Sequence, residues 1–134
     1  MLLKDNKAAY RVVIKGIIAD SENRILFVRE RSDTWDLPGG GLEHGEEVKR
    51  ALEREFQEEL GVNAVIESNE AIIIPTWNTK FDDPVLIIGY TVKTFGKMHT
   101  TDDVSEYRYL SREEAQNERF DSTLTESIID HLYQ

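Results

Sequence analysis

The sequence predicts an α+β domain, on the strength of three features. Apolar, β-branched runs recur between polar turns, only two substantial stretches carry helical periodicity, and strands and helices are mixed in order. Such a chain buries both faces of a sheet under helices. Its 134 residues match a single domain spanning 1–134, since one hydrophobic core usually serves roughly 100 to 200 residues. The 40% hydrophobic and 31% charged content is that of an ordinary soluble globular domain.

Taken in order, YRVVIKGIIA (10–19) is β-branched and apolar, DSEN turns, and RILFVRER (24–31) resumes as a strand, which together predict an antiparallel hairpin. Ile25, Phe27 and Arg29 alternate with Leu26, Val28 and Glu30, so the second strand is apolar on both faces at its start and reads as central in a sheet. RSDTWDLPGGG is a loop with a short extended piece, because glycines and proline rule out helix and let backbone approach a ligand. A helix then runs from about Glu46 to Leu60 and stops at Gly61. Beyond it, 62–74 is β-rich with AIII (71–74) its most buried part, TWNTKFDD (76–83) is a loop, and PVLIIGYTVK (84–93) is a strand. EYRYL (106–110) is a short strand and 111–116 a helical turn. The closing STLTESIIDHLYQ is an amphipathic helix with Leu124, Ile128, Ile129 and Leu132 on one face.

Charge and composition narrow the function. With 26 acidic and 16 basic residues the formal charge is -10, which argues against a general nucleic-acid backbone binder. An acidic chain acting on phosphates needs divalent cations to bring the two together. The absence of cysteine excludes disulfides, thiolate metal sites and a cysteine nucleophile. MLLKDNKAAY has no apolar leader, and no run approaches the roughly 18 apolar residues of a membrane span, so the expected location is cytoplasmic and off the membrane.

The first long helix carries more acid than a helix needs. At about 100° per residue, Val48, Ala51, Leu52, Phe56 and Leu60 form one apolar face, with Lys49, Arg50, Glu53 and Gln57 towards the other side. Glu59 then projects between Val48 and Leu52, Glu55 close to Val48, and Glu58 just past Ala51. Three carboxylates at the core margin repel one another, and burying them without a partner is costly. A hard divalent cation is the partner that fits, since Mg2+ takes carboxylates, waters and substrate phosphate oxygens as ligands. Arg54 is the competing cation, read here as the residue that orients the acids. A solvated acidic face accounts for Glu53 but not for Glu55 and Glu59.

Leu37 to Val62, LPGGGLEHGEEVKRALEREFQEELGV, fits G-x(5)-E-x(7)-R-E-U-x-E-E-x-G-U, with U apolar, through Gly40, Glu46, Arg54, Glu55, Glu58, Glu59 and Gly61. On these residues the chain resembles the Nudix hydrolases, its box spanning 40–62. Phe56 departs from the aliphatic residue usual at its position, with consequences expected for packing rather than for the metal site. The resemblance implies an α/β/α sandwich around a mixed β-sheet. It also implies Mg2+-dependent hydrolysis, with Mn2+ as the alternative ion, of a pyrophosphate linkage in a nucleoside diphosphate joined to another moiety or in a nucleoside triphosphate. The substrate would thus be a small nucleotide or a nucleotide-sugar-like diphosphate.

The same resemblance gives the metal to Glu55, Glu58 and Glu59 with a glycine carbonyl, Gly40 or Gly39; one of the three glutamates assists as general base, a role that varies within the family, and Glu58 is the preferred candidate. Glu55, Arg54 and Glu46 join the catalytic set, Glu46 in support. A further acid outside the box is expected to complete the site, and Glu106 is the candidate, followed by Asp102 and Asp103. Trp35, Trp77 and Phe81 are the candidate substrate-binding aromatics, with Trp77 the least core-like. His44, His99 and His131 share no metal-ligand spacing. A nucleotide-binding sensor that does not hydrolyse is the alternative, and a structural acidic module a third. Strand edges are compatible with a homodimer.

Overall fold

Every residue of the first strand, β1 (Arg11–Ile17), from Val13 onward is buried, because its two faces feed two different cores. Val13 and Ile17 pack into one cluster, Ile14 and Ile18 into the other. β2 (Ile25–Arg29) behaves the same way: Ile25 and Phe27 join the first cluster, Leu26 and Val28 the second. The computed structural model describes residues 9–30 and 32–134. Residues 1–8 and Arg31 lie outside the described residues, and with them most of the N-terminal stretch and the junction between RILFVRER and the loop that follows.

The remaining elements are β3 (Gly39–Gly41), α1 (Val48–Leu60), β4 (Asn63–Asn78), β5 (Asp83–Phe95), β6 (Glu106–Leu110), α2 (Arg112–Ala115) and α3 (Glu126–Leu132). Four strands form a mixed sheet in the order β3-β1-β5-β4, with β1 and β5 parallel and the other pairs antiparallel. β2 and β6 pair antiparallel in a second, two-stranded sheet. Ala51, Leu52, Phe56 and Leu60 of α1 fill the second cluster. Ala115 of α2, Leu124 and Ile129 of α3 fill the first. Helices thus cover opposite faces of an α+β framework.

Several expectations change. The hairpin exists only at its neck, where Leu26 N–H donates to the Ile18 carbonyl at 3.0 Å; beyond it β1 and β2 part into different sheets. The triple glycine is a strand rather than a loop, paired with Val13, Ile14 and Lys15. AIII is not the buried part of its strand: β4 lies at the sheet edge and Ile73 is 62% exposed, while Ile72 and Ile74 pack inward. Trp77 belongs to β4, whose pairing with β5 continues to Asn78, so the loop shrinks to the residues around Asp82, where φ is +52°.

Helix limits move as well. α1 starts at Val48 after Glu47, leaving Glu46 in the preceding turn, and ends on Gly61 in the left-handed conformation (φ +66°). α3 starts only at Glu126, since Thr125 caps it by accepting the Ile128 N–H. α2 matches expectation, with Ser111 and Glu114 forming a reciprocal capping box. Among the described residues no helix is long and apolar enough to cross a membrane.

Candidate active site

β3 and α1 meet where the sheet order brings the glycine strand beside the helix carrying the acids. Arg54 organises their junction. Its guanidinium grips Glu46 with two bonds, Nε to Oε2 at 2.9 Å and Nη2 to Oε1 at 3.0 Å, and Nη1 reaches Glu55 Oε1 at 3.0 Å and Glu58 Oε2 at 3.4 Å. A further bond from Nη2 to the Gly41 carbonyl at 3.3 Å ties the helix to β3. Arg54 therefore fixes three carboxylates at once. Its hydrogen bonds hold the Glu46 carboxyl below the usual carboxylate range.

Glu59 has a different environment. It is 3% exposed, and its Oε1 accepts the Gly39 N–H at 2.9 Å. Burial pushes its carboxyl up to about 9, against the pull of Lys15 and of the Gly39 amide. Burial raises Glu55 too, with Arg54 opposing. Glu55 rests against Gly40 so closely that a Cβ there would lie 2.5 Å from Glu55 Oε1. Gly40 is thus a position where any side chain would displace a carboxylate.

Glu55 and Glu59 line one acidic pocket of about 450 Å³ together with Glu30, Asp102 and Asp103. Among the described residues no three acidic or histidine side chains already converge on a point a metal ion could occupy; Glu55 leans on Arg54 and Glu59 on Gly39. The donor set nevertheless fits a hard divalent cation. It is all oxygen, and Glu59 is a buried acid whose charge a nearby cation would stabilise.

The sequence-predicted residues separate under this geometry. Gly40, Glu46, Arg54, Glu55 and Glu59 are brought together. Glu58 is not at the core margin as its helical projection placed it: its side chain is 48% exposed, and it reaches the group only through Arg54. Glu106 does not line the acidic pocket, because Arg29 (3.4 Å) and Arg108 (2.7 Å) take its carboxylate. Asp102 and Asp103, ranked after it, do line the pocket. They arrive on a segment docked to the end of α1, where Thr101 Oγ1 donates to the Glu59 carbonyl at 2.9 Å and His99 N–H to the Leu60 carbonyl at 3.1 Å.

Trp35 is fully buried, with Arg29 4.3 Å and Arg108 5.4 Å from its ring centre and its indole N–H on Glu118, so it serves the core and offers no stacking face. Phe81 is 58% exposed and lines a groove of about 770 Å³ that also takes in Arg11, Lys80, Glu30 and all three glycines of β3. Trp77 borders a separate surface hollow with Pro75 and Ile128. His44 is an exposed loop residue.

Lys15, Asp36 and Glu30 went unnoticed in the sequence. Lys15 lies in the wall of the groove, 6% exposed and ion-paired with Asp36 at 3.2 Å. Burial disfavours its ammonium, but Asp36 and Glu59 outweigh that and raise its pKa. The available signal was a lone lysine inside the apolar run RVVIKGIIA.

A family profile described as NUDIX domain matches residues 9–131. The chain belongs to the Nudix family. Over 120 residues it is 36% identical to an RNA pyrophosphohydrolase of Sulfurovum sp. (strain NBC37-1), a match covering 83% of this chain and 69% of that protein. An RNA pyrophosphohydrolase of Campylobacter jejuni (strain 81-176) is 37% identical over 67 residues, 46% of this chain and 43% of the relative. This Nudix chain is thus matched to less than half the length of that relative. A crystal structure of a UDP-X diphosphatase superposes with a TM-score of 0.80 at 20% identity, covering 96% of this chain and 63% of that one. That likeness bears on the fold, and the mixed sheet between helices is the Nudix fold.

Proposed function

We propose that the chain is a Mg2+-dependent pyrophosphohydrolase, with Mn2+ as the alternative ion, acting on a small nucleotide. Its substrate is a nucleoside diphosphate linked to another moiety or a nucleoside triphosphate. The observation that carries this reading is the adjacency of two hollows. An acidic pocket holding Glu55 and Glu59 shares Glu30 with a groove that offers Arg11, Lys80 and the exposed ring of Phe81. Phosphates fit between the cations and the glycine strand, and a base fits on the ring. Arg11 and Lys80 already stand near that ring, at 5.8 and 5.4 Å from its centre.

Glu55, Glu59 and Gly40, with Glu58, would hold the ion. When bound, it supplies charge neutralisation at the phosphates and an acidified water. The protein's own residues do the rest. Arg54 keeps Glu55 and Glu58 oriented, and Glu46 keeps Arg54 in place. Glu58, whose side chain is half exposed, would take a proton from the attacking water and pass it to solvent. Arg11 and Lys80 bind and orient the phosphates beside β3.

A second reading comes from the relatives named RNA pyrophosphohydrolase, in which the triphosphate belongs to an RNA 5′ end. The formal charge of -10 favours the small nucleotide. A panel of nucleoside triphosphates, nucleotide sugars, dinucleoside polyphosphates and 5′-triphosphorylated oligoribonucleotide, read by phosphate and pyrophosphate release with and without Mg2+, tests both. Turnover of a mononucleotide is expected. Turnover of the oligonucleotide alone overturns the substrate class, and binding without turnover leaves the sensor reading. The exposed β4 edge is the surface a homodimer would use, which light scattering tests.

A further inference from the structure

A buried ammonium has three N–H bonds to satisfy, and Lys15 satisfies all of them on one turn. Its Nζ donates to Asp36 Oδ2 at 3.2 Å and to the carbonyls of Leu37 at 3.1 Å and Gly39 at 3.3 Å. Asp36 is locked in turn, its Oδ1 accepting the Leu37 N–H at 2.7 Å. Gly39 is consequently held from two sides, its carbonyl by Lys15 and its amide by Glu59 at 2.9 Å. Its backbone is pressed against β1 at this register, Lys15 opposite Gly39, with φ at +130° and the space that a Cβ would need taken by the Ile14 carbonyl.

A run of three glycines has little conformational preference of its own, so its position must be imposed from outside. An apolar side chain would fill the core at this point of β1 without the desolvation cost of a charge. Lysine adds three directed bonds, one to the Asp36 carboxylate and two to backbone carbonyls entering the glycine strand. With those donors spent, it is not available to hold a substrate phosphate.

We propose that Lys15 is a positioning residue: neutralised by Asp36, it locks the Leu37 and Gly39 carbonyls and thereby sets where the Gly39 amide meets Glu59 and where Gly40 meets Glu55. The glycine strand and the acidic helix are brought into register by a lysine on a third element, one outside the 40–62 box. The effect on turnover rests on the hydrolytic reading above; the anchoring does not.

The test is hydrogen exchange at single amides, combined with steady-state kinetics, on the full chain. The paired substitution Lys15→Met with Asp36→Asn removes the anchor without stranding a buried charge, and the Asn oxygen still accepts the Leu37 N–H. In the unsubstituted protein the Gly39 amide should exchange as slowly as the paired amides of β1. In the paired variant it should exchange at least about tenfold faster, while the Ile87 and Val92 amides of β5 stay within about threefold. On whichever nucleotide is turned over, kcat should fall by about tenfold or more with KM within about threefold, a split that general destabilisation does not produce.

Fast exchange of Gly39 in the unsubstituted protein overturns the proposal, as does unchanged protection in the variant or a freed amide with unchanged kcat. Should the paired variant fail to fold, Lys15→Arg takes its place under the same expectations, since a planar guanidinium cannot reproduce the three bonds. If no nucleotide is hydrolysed, the functional reading fails while the amide measurement still decides the anchor.

Discussion

Gly40 carries the sharpest prediction at the residue scale. A methyl group there meets the end of the Glu55 side chain and no backbone within the same distance. The Glu55 carboxylate can swing away, so Gly40→Ala should cost under about 1 kcal/mol of stability while lowering turnover by at least about tenfold. Paired melting and kinetic measurements check this; full activity would mean that Glu55 need not sit against Gly40. Glu59 sets a pH dependence of defined sign. Its folded-state value of about 9 lies above its ordinary 4.5, so the folded chain keeps a proton that the unfolded chain has lost. Its contribution to stability is complete below about pH 4.5 and disappears as pH rises through about 9. Binding of a cation displaces that proton, so Mn2+ affinity should climb over the same window as the ion-free melting temperature declines. Affinity that is flat from pH 5 to 9 would contradict the assignment. Glu46 acts with the opposite sign: held low by Arg54, it loses its contribution as pH falls.

Among the elements, α1 and β1 fit because of an exchange of volume that neither stretch reveals alone. A Cβ on Gly16 would lie 2.6 Å from two ring atoms of the fully buried Phe56. The bulk that Phe56 adds to the box is offset by the bulk that β1 lacks. Gly16→Ala should therefore cost about 1–3 kcal/mol, and adding Phe56→Leu should recover part of it. Chemical denaturation of the three variants decides, with additive effects counting against the contact. α1 was legible in the sequence because its apolar spacing and its stop at Gly61 are local signals. The acids were legible in part: projection found Glu55 and Glu59, but it could not foresee that Glu58 would lean out to Arg54. What stayed hidden depends on contacts distant in sequence. The two sheets, the strand character of the three glycines, the Lys15–Asp36 pair 21 residues apart and the capture of Glu106 by two arginines are all of this kind. Trp35 reads as a loop aromatic until α2 and the segment after it cover it, its indole N–H meeting Glu118 83 residues away.

For the whole molecule, the mixed sheet separates two tasks. One core seats the acidic helix, the other closes under α2 and α3, and the groove opens beside the glycine strand that edges the sheet. On the proposed function, substrate recognition in the groove and chemistry at the acids should be separable by mutation. Phe81→Ala should raise KM by roughly five- to a hundredfold, the loss of one stacking contact, and leave kcat nearly unchanged. An unaltered KM would move the base elsewhere. The chemistry itself turns on whether Glu59 must be a carboxylate. Glu59→Gln keeps an oxygen to accept the Gly39 N–H and has the shape and neutrality of the protonated acid that burial favours, so the fold should persist with a melting temperature little changed at neutral pH. Mg2+-dependent release of phosphate or pyrophosphate from the turned-over nucleotide is the measurement to make on this variant beside the unsubstituted protein. The expected result is a loss of at least about a hundredfold in a folded protein, because an amide is a poor ligand for a hard cation; undiminished turnover would contradict the proposal that the Glu59 carboxylate binds the ion.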